Sequence, residues 1–266
     1  MTAGQQPSAG ELLELARTVA REAADRIQRL RAEGVDVAGT KSSEVDVVTV
    51  ADEASEKLIR ERLLDARPDD GFVGEEGDDV PGSNGVRWIV DPIDGTVNYL
   101  YGVPAYAVSV AAQVDGEVVA GVVLNPAIGE EYAAARGGGA TRNGAPIRVR
   151  PFVSLQQSLF ATGFSYEQAI RARQAGAVAR VLPQVRDIRR LGSCALDLCG
   201  VAAGRFDAYA EEGVNLWDHA AGALVATEAG ARVEVSTAPS GRSFILCAPH
   251  PSFDAFRDLV REAGMF

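Results

Sequence analysis

The start of the chain shows hydrophobic positions at helical spacing. Ser8 and Glu11 form a capping-box pattern, and apolar residues follow it every three or four positions as far as Leu30. Gly34 stands where a glycine commonly ends a helix. The pattern therefore predicts a long amphipathic helix.

A second helix and two strands are predicted next. Thr49 and Asp52 repeat the capping pattern, and the apolar positions behind them predict a helix through Leu64. The apolar residues at 72–73 predict a short strand that ends at acidic residues. A polar loop then leads to a stronger strand that begins at Trp88.

The middle of the chain is rich in strand patterns. Asp115 and Gly116 lie between two apolar runs, which is a strong signal for a hairpin. Strands are predicted at residues 107–114, 118–124, 131–135 and 147–150. These strands predict a mainly antiparallel sheet.

From residue 158 onwards, short strands alternate with helices. The strands are predicted at residues 159–162, 185–189, 206–210 and 244–248, and the helices at 167–182, 193–201, 217–229 and 253–263. Helices, then antiparallel strands, then alternating elements predict a layered α+β or α/β fold of the αβαβα type.

The absence of repeats or linkers favours one cooperative unit. We expect residues 1–266 to form a single unit with two subregions. Residues 11–150 would supply helices and the mainly antiparallel sheet, and residues 151–266 would supply the α/β part. Residues 1–8 are expected to be disordered.

Composition and charge narrow the classes of function. The 266 residues are 47% hydrophobic and 24% charged, as in ordinary globular proteins. No apolar run approaches the ~20 residues of a membrane helix, and the start lacks a signal-peptide pattern, so we expect a cytoplasmic location without membrane partners. A net charge of -11 disfavours nucleic acid as a partner. An excess of carboxylates can also serve to hold cations, because a bound cation inverts the local field.

The strand that begins at Trp88 ends in the most informative segment. Asp91 and Asp94 are three residues apart, and Pro92 between them fixes its own φ and keeps Asp91 extended, so we expect a turn directly after Asp91 instead of a helix. The two carboxylates and the Ile93 carbonyl can then converge, while the amides of residues 95–96 open a pocket beside them. Such oxygens suit a hard divalent cation, Mg2+ first, and such amides suit a phosphate.

Three separated motifs resemble those of the inositol monophosphatase family of Mg2+-dependent, lithium-sensitive phosphatases. They are Gly74-Glu75-Glu76, residues 88–98, and the segment that begins with Trp217. The similarity extends over nearly the whole chain. It implies an αβαβα sandwich of the inositol monophosphatase and fructose bisphosphatase type, with the metal site in subregion 11–150 and the substrate-recognition side in subregion 151–266.

The resemblance implies a set of metal ligands. Glu75, Asp91 and the Ile93 carbonyl resemble the ligands of a first ion. Asp91, Asp94 and Asp218 resemble those of a second, with Asp91 bridging. A third, weaker ion is implied through Glu75 and water. Two or three Mg2+ ions per active site are therefore expected, with Li+ as an inhibitor.

The resemblance also implies the catalytic and phosphate-binding residues. Glu75 and Thr96 would orient the attacking water, and Asp52 would hydrogen-bond Thr96. Asp52 can instead cap its own helix, and both roles are compatible. The amides of Gly95 and Thr96 would bind phosphate together with Lys41, for which a solvated surface position is the open alternative.

Substrate contacts are implied on the second half of the chain. Glu211 resembles the acid that binds an inositol hydroxyl, a task that Asp94 would share, but Glu212 follows it, so the register stays open. Ser193 and Cys194 resemble the stretch that touches the ring. Cys194 departs from the family, where alanine is more usual.

These expectations define a Mg2+-dependent phosphatase that hydrolyses inositol monophosphate to inositol and phosphate by in-line attack of a metal-activated water. Histidinol phosphate and fructose 1,6-bisphosphate are alternative substrates for the same site. A regulatory role through binding of other proteins is the alternative from a different class. The family resemblance also implies a homodimer.

Overall fold

Two capped helices lie at the start of the chain in the computed structural model, which describes residues 6–34, 37–40 and 47–266. Helix α1 spans Ala9–Glu33, and helix α2 spans Val50–Ala66, after strands β1 (Val37–Thr40) and β2 (Val47–Thr49). The Ser8 hydroxyl accepts a hydrogen bond from the Glu11 amide at 3.2 Å, and the Glu11 carboxylate accepts one from the Ser8 amide at 2.8 Å. Both predicted capping boxes are confirmed.

In the first sheet, the strands lie side by side in the order in which they occur along the chain. Its strands are β3 (Gly71–Gly74), β4 (Val86–Asp94), β5 (Ala107–Val114), β6 (Glu117–Asn125), β7 (Glu130–Ala135), β8 (Ala140–Arg142) and β9 (Ala145–Ile147). Strands β3 and β4 are parallel, and the remaining neighbours are antiparallel. The short helix α3 (Thr96–Tyr101) follows β4. The predicted hairpin is confirmed, with φ of 50° at Asp115 and 88° at Gly116.

The second sheet has the strand order β11-β10-β12-β14-β13. Its strands are β10 (Leu159–Thr162), β11 (Asp187–Arg189), β12 (Ala208–Glu212), β13 (Ala231–Thr237) and β14 (Ser243–Pro249). The remaining helices are α4 (Gln168–Val181), α5 (Cys194–Ala202), α6 (Leu216–Glu228) and α7 (Phe253–Glu262). Strand β10 pairs in parallel with β11 and β12, whereas β14 is antiparallel to both of its neighbours.

The hydrophobic core divides into three layers that separate the sheets from the helices. On β5, Val108 and Val110 pack towards α1 and α2, whereas Ala107 and Ala111 pack towards α5 and α6. The third cluster lies between the second sheet and the pair α4 and α7. This order is helices, sheet, helices, sheet, helices, so the predicted αβαβα layering is confirmed.

Several predicted boundaries are wrong. The strand predicted at 147–150 ends at Ile147, where a β8–β9 hairpin closes the sheet edge. The strand predicted at 206–210 lies two residues later, at Ala208–Glu212, and the one predicted at 185–189 begins only at Asp187. Strand β13 was not predicted, because it is a half-exposed strand at the edge of the sheet. Helix α3 was not predicted, because its six residues are too few to show a helical repeat of apolar positions.

The remaining fold expectations concern the start of the chain and the membrane. The predicted disorder of residues 1–8 falls mostly on residues outside the described part, although Ser8 caps α1. No helix in residues 6–34 or 47–266 combines the length and the apolar character needed to cross a membrane. Cys194, Cys199 and Cys247 are all buried and free of disulfides.

Gly121 tests how tightly α6 packs on the first sheet. A Cβ at Gly121 would lie 3.0 Å from the Cα and 3.1 Å from the carbonyl oxygen of Ala221. We expect Gly121→Ala to lower the free energy of unfolding by about 1–3 kcal/mol, because helix backbone must shift. The measurement is urea unfolding followed by circular dichroism.

Gly176, inside α4, is the matched control because a Cβ there meets nothing nearer than 3.9 Å. Gly176→Ala should leave stability unchanged or raise it by about 0.4–1 kcal/mol. Equal effects of the two substitutions would contradict the tight packing of α6.

Candidate active site

The acidic residues of the site come from the ends of three elements. Because β3 and β4 are parallel and Gly74 pairs with Val90, Glu75 emerges beside Asp91. Asp218 lies in the first turn of α6, where its carboxylate accepts a hydrogen bond from the Asn215 amide at 2.5 Å. The carboxylate oxygens of Glu75, Asp91 and Asp218 lie within 4.8 Å of one another. The structure thus brings together residues that are up to 143 positions apart, from Glu75 to Asp218.

A bulge in β4 turns Asp91 and Asp94 towards the same face. Asp91 pairs with Ser109 and Asp94 with Ala107, so β4 has one residue more than β5 between these pairs. In a regular strand, residues three apart point to opposite faces. Ile93 packs with the α1–α2 layer, while Asp94 faces α5.

The sequence expectation of a turn directly after Asp91 is therefore wrong in detail. Strand β4 continues through Asp94, and Pro92 sits within its bulge, where the strand can tolerate a residue without a backbone donor. Through the bulge, both carboxylates line the same cavity, but Asp94 is not part of the group of carboxylates that lie within 4.8 Å of one another. The Asp91 carboxylate accepts a hydrogen bond from the Ile93 amide at 3.0 Å.

Burial and mutual repulsion dominate the electrostatics of these acids. Asp91 is 1% exposed, and burial followed by the charges of Glu75, Asp94 and Asp218 holds its pKa well above the usual value. Burial and the charges of Glu75 and Asp94 also raise the pKa of Asp218 well above the usual value. Burial raises the pKa of Asp94 to about 7, against hydrogen bonds from Ser193 and the Ala195 amide. These acids need a compensating positive charge.

The donor set fits a hard divalent cation. Carboxylate oxygens from three elements surround one small volume, which matches the preference of Mg2+ for oxygen ligands. A cation would remove the repulsion that raises the pKa of Asp91. The Ile93 carbonyl oxygen lies 3.1 Å from the Thr96 hydroxyl oxygen and so belongs to the same turn.

Asp52 joins the second helix to the turn after β4. Its Oδ1 lies 3.0 Å from the Thr96 hydroxyl, and its Oδ2 accepts hydrogen bonds from the Thr49 amide at 2.9 Å and the Thr49 hydroxyl at 2.5 Å. Capping of α2 and contact with Thr96 therefore coexist. Both roles that the sequence left open for Asp52 are compatible with these contacts.

Gly95 is required by the turn itself. Its φ is 92°, in the left-handed region, and a Cβ would lie 2.9 Å from the Ala105 carbonyl and 3.1 Å from the Gly192 carbonyl. Asn98 binds the same segment, since its side-chain amide donates to the carbonyls of Ala105 and Leu191 at 2.7 Å each. The turn is therefore seated firmly against the residues before α5.

The start of α5 fixes Asp94. The Ser193 hydroxyl donates a hydrogen bond to Asp94 at 2.6 Å, and the Ala195 amide donates to the same oxygen at 2.7 Å. Ser193 also caps α5 by accepting from the Leu196 amide at 3.3 Å. Cys194 is buried beside them, and burial raises the pKa of its thiol well above the usual value, so the thiol is neutral.

Strand alternation separates Glu211 from Glu212. Glu211 accepts a hydrogen bond from the Tyr209 hydroxyl at 2.8 Å, and Tyr209 packs in the layer of α5 and α6. Glu212 lies one residue on and forms an ion pair with Arg173 of α4. Since residues 208 and 210 pack with α4 and α7, Glu211 is the residue on the inner face.

These groups line one cavity of about 570 Å3, a usual size for a small-molecule site. Of the sequence-predicted residues, the lining includes Glu75, Asp91, Ile93, Asp94, Gly95, Thr96, Cys194, Glu211 and Asp218. Asp52 and Ser193 support the lining through the contacts given above. Lys41 lies outside the described residues.

The sequence did not single out some residues of the site. Tyr166 and Arg242 line the cavity from loops, where sequence periodicity gives no signal. Glu56 is 3% exposed and accepts a hydrogen bond from the Glu76 amide at 2.8 Å, so it fixes the segment after Glu75. The sequence did contain a hint of this role. Glu56 lies four residues after Asp52, so it falls on the apolar face of α2, where a charged residue is unusual.

Comparisons with known proteins agree with this architecture. The model of the inositol monophosphatase family matches residues 9–251. An inositol-1-monophosphatase SuhB of Mycobacterium tuberculosis is 49% identical over 248 residues, which cover 86% of each chain. The solved structure of Mycobacterium tuberculosis SuhB superposes with a TM-score of 0.85 at 43% identity and covers 98% of this chain and 100% of that one. A protein of Xylella fastidiosa named Nus factor SuhB is 40% identical over 230 residues, 86% of this chain and 82% of that one.

Fold, site and comparisons together define a phosphatase that acts on phosphate monoesters. The chain belongs to the inositol monophosphatase family, which is generally metal-dependent.

The raised pKa values predict how pH affects the metal-free protein. Asp94, with a pKa of about 7 when folded and an ordinary value of 3.8, holds a proton in the folded state that the unfolded state has lost. The stabilisation that the protonated Asp94 contributes to the folded state is therefore fully present below about pH 4 and is lost as the pH rises through 7. In the presence of a chelator that removes metal ions, we expect the free energy of unfolding to fall by about 1–3 kcal/mol between pH 5 and pH 8.

The measurement is urea unfolding at both pH values, with Asp94→Asn as the matched variant. Asparagine can still accept from Ser193 and the Ala195 amide, so this variant should show a smaller fall. Added Mg2+ should restore the stability of the unaltered protein at pH 8. A free energy of unfolding that does not change with pH would contradict the raised pKa of buried Asp94.

Proposed function

We propose that this chain is a Mg2+-dependent phosphatase that hydrolyses inositol monophosphate to inositol and phosphate. The observation that carries the proposal is the convergence of Glu75, Asp91 and Asp218, from three elements, to within 4.8 Å. Carboxylates so close together, with Asp91 buried and the other two half-buried, suit a hard cation. The name of the mycobacterial relative supports inositol monophosphate as the substrate.

In the proposed site, the ligands divide into two overlapping sets. Glu75, Asp91 and the Ile93 carbonyl would hold a first ion, and Asp91, Asp94 and Asp218 would hold a second. A third, weaker ion would be held through Glu75 and water. Bound Mg2+ lowers the pKa of water and stabilises both the entering and the leaving oxygen of an in-line displacement.

Thr96, Glu75 and Asp52 would orient the attacking water. The Thr96 hydroxyl lies 3.0 Å from Asp52 and can donate its hydrogen there, which leaves the threonine oxygen to accept a hydrogen bond from water. Asp52 is itself held by Thr49 and is fully buried, so it cannot swing away. Glu75 would accept the second hydrogen, and the water lone pair would then face the phosphorus.

The phosphate would bind to the backbone amides of residues 95–96. Gly95 has no side chain to obstruct these amides, and its left-handed φ of 92° turns the backbone towards the cleft. Lys41 remains proposed as a further phosphate ligand.

The substrate hydroxyls would meet the second half of the chain. Glu211 and Asp94 would accept hydrogen bonds from the ring, beside Ser193 and Cys194. Because the Tyr209 hydroxyl occupies one oxygen of Glu211, the other is available to a substrate hydroxyl. The Cys194 side chain is larger than the alanine usual in the family and would narrow the pocket.

The chain would act as a single catalytic unit with two sides. Residues 11–150 carry most of the proposed metal ligands, and residues 151–266 carry most of the proposed substrate contacts. Asp218 joins the two sides. A cytoplasmic homodimer, inhibited by Li+ and without a nucleic-acid partner, completes the proposal.

Two alternatives compete with the proposed function. Histidinol phosphate or fructose 1,6-bisphosphate would use the same metal ligands and differ only in contacts away from the phosphate. The name of the Xylella relative keeps a regulatory role open. The intact set of four acids favours the enzyme, since a binding role alone does not require them.

A panel of phosphate esters separates the substrates. With purified protein and Mg2+, we expect kcat/KM for inositol monophosphate to exceed that for histidinol phosphate and fructose 1,6-bisphosphate. Phosphate release is the measurement, and a chelator should abolish it. A much higher value for histidinol phosphate would refute the proposed substrate, and release that ignores millimolar Li+ would indicate a sister family.

Asp94→Asn separates catalysis from a purely structural metal site. We expect kcat to fall roughly 100-fold or more, because an anionic ligand that contributes several kcal/mol of transition-state stabilisation is lost. Asp258→Asn is the matched control, since that exposed carboxylate pairs with Arg261 on α7 and does not line the cavity. An unchanged rate in Asp94→Asn, with circular dichroism intact, would remove the catalytic proposal.

A further inference from the structure

The cavity has a second wall that neither the family motifs nor the proposed mechanism uses. This far wall consists of the loop 163–167, after β10, and the turn 238–242, between β13 and β14. Ser165 and Tyr166 of the loop and Arg242 of the turn line the same cavity as Asp91 and Asp94. A substrate held at the metal ligands would present its alcohol part towards this wall.

Glu212 lies at the end of β12, beside the far wall, and is itself among the residues that line the cavity. It is 3% exposed and faces away from Glu211. Its carboxylate accepts hydrogen bonds from the Arg173 guanidinium on α4 and from the Ser240 hydroxyl on the turn. The Gln174 side-chain amide donates a further hydrogen bond at 3.3 Å. One buried carboxylate thus joins α4, β12 and the turn.

Gln174 extends this connection to the loop. Its side-chain oxygen accepts a hydrogen bond from the Ser165 amide at 2.8 Å, while its nitrogen donates to Glu212. Gln174 is 5% exposed and Ser165 8%, so the link is shielded from water. The backbone of the loop is therefore held, through a single side chain, by the same carboxylate that holds the turn.

Arg242 is the cationic group that this network directs into the cavity. The Ser240 hydroxyl, which donates to Glu212, accepts from the Arg242 amide at 3.2 Å. The guanidinium of Arg242 donates to Glu167 at 2.7 Å and contacts the Ser165 hydroxyl at 3.5 Å. A guanidinium with five N–H donors is suited to the hydroxyl oxygens of a polyol.

A buried carboxylate of this kind is a positioning device more than a source of stability. Removing a carboxylate from water costs several kcal/mol, and hydrogen bonds and an ion pair largely offset that cost. The net effect is a fixed geometry, because each partner must keep its place for the charge to stay satisfied. At Glu212 the partners are the two segments of the far wall.

We propose that Glu212 is a positioning residue for substrate selection, whose buried carboxylate fixes Arg242 and the loop 163–167 as the wall that recognises the polyol part of the phosphate ester. The inference rests on the proposed function, because it assumes a polyol phosphate at the metal ligands. Glu212 does not touch the phosphate and takes no part in water attack. Its effect is confined to affinity for the alcohol part.

The test compares two substrates of different size in Glu212→Gln. Inositol monophosphate has a six-carbon ring, whereas the alcohol of glycerol 2-phosphate has only three carbons. We expect KM for inositol monophosphate to rise about fivefold to tenfold, with kcat changed by less than about twofold. KM for glycerol 2-phosphate should stay within about twofold of the unaltered protein.

Two milder variants keep the test decisive if Glu212→Gln folds poorly. Ser240→Ala removes one contact of Glu212, and Arg242→Gln removes the wall's cation; both should raise KM for inositol monophosphate selectively. Glu234→Gln is the matched control, because that carboxylate pairs with Arg232 on β13 and does not line the cavity. The control should leave both KM values unchanged.

Hydrogen–deuterium exchange provides a readout that does not depend on turnover. In Glu212→Gln, the amides of Ser165, Ala238 and Gly241 should exchange faster, and in Glu234→Gln they should not. The Ala238 amide, which donates to the Arg242 carbonyl at 2.8 Å, reports on the turn. Unchanged exchange, or parallel losses with both substrates, would overturn the inference.

The outcomes for the proposed function are separate. If the unaltered protein hydrolyses glycerol 2-phosphate but not inositol monophosphate, the proposed substrate fails, while faster exchange in Glu212→Gln still supports the positioning role. If the unaltered protein hydrolyses inositol monophosphate and Glu212→Gln retains both KM values, only the positioning role fails.

Discussion

Repulsion among buried and half-buried carboxylates is the constraint on which the rest of this structure depends. Asp91 is almost fully buried beside Glu75, Asp94 and Asp218, and its pKa is raised well above the usual value by burial first and by these neighbours next. Folding alone does not favour such an arrangement, since each acid disfavours the ionised form of the others. The fold maintains it by fixing each acid from a separate element, and a bound cation would turn the repulsion into binding.

Each element contributes one geometric step to this convergence. The parallel pairing of β3 with β4 places Glu75 beside Asp91, and the bulge in β4 turns Asp94 to the same face. The start of α5 then holds Asp94 through Ser193, while the capping box of α6 orients Asp218. The layer of α5 and α6 between two sheets is therefore the reason that acids from both halves of the chain meet.

The same layering gives the cavity two functionally different walls. The first wall, which we call the inner wall, carries Glu75, Asp91 and Asp94 and rests on the first sheet. The far wall rests on the second sheet and α4. Neighbouring residues of β12 serve the two walls separately, since Glu211 faces the cavity beside Tyr209 and Glu212 faces α4. Strand alternation alone thus divides two adjacent glutamates between contact and support.

Features that depend on residues close together in the sequence could be predicted from it, whereas features that depend on contacts between distant residues could not. Local rules fixed the capping boxes at Ser8 and Thr49, the hairpin at Asp115, the αβαβα order and the cluster of oxygens around Asp91. They failed to predict β13, because this half-exposed strand has no clear pattern of buried residues. They also misplaced the end of the strand at Ile147, because that end is set by pairing at the edge of the sheet. Only the tertiary structure decided the bulge at Pro92, the choice of Glu211 over Glu212 for the inner face, and the far wall around Arg242. These features depend on pairing between distant strands and on packing between layers, which no local pattern along the chain encodes.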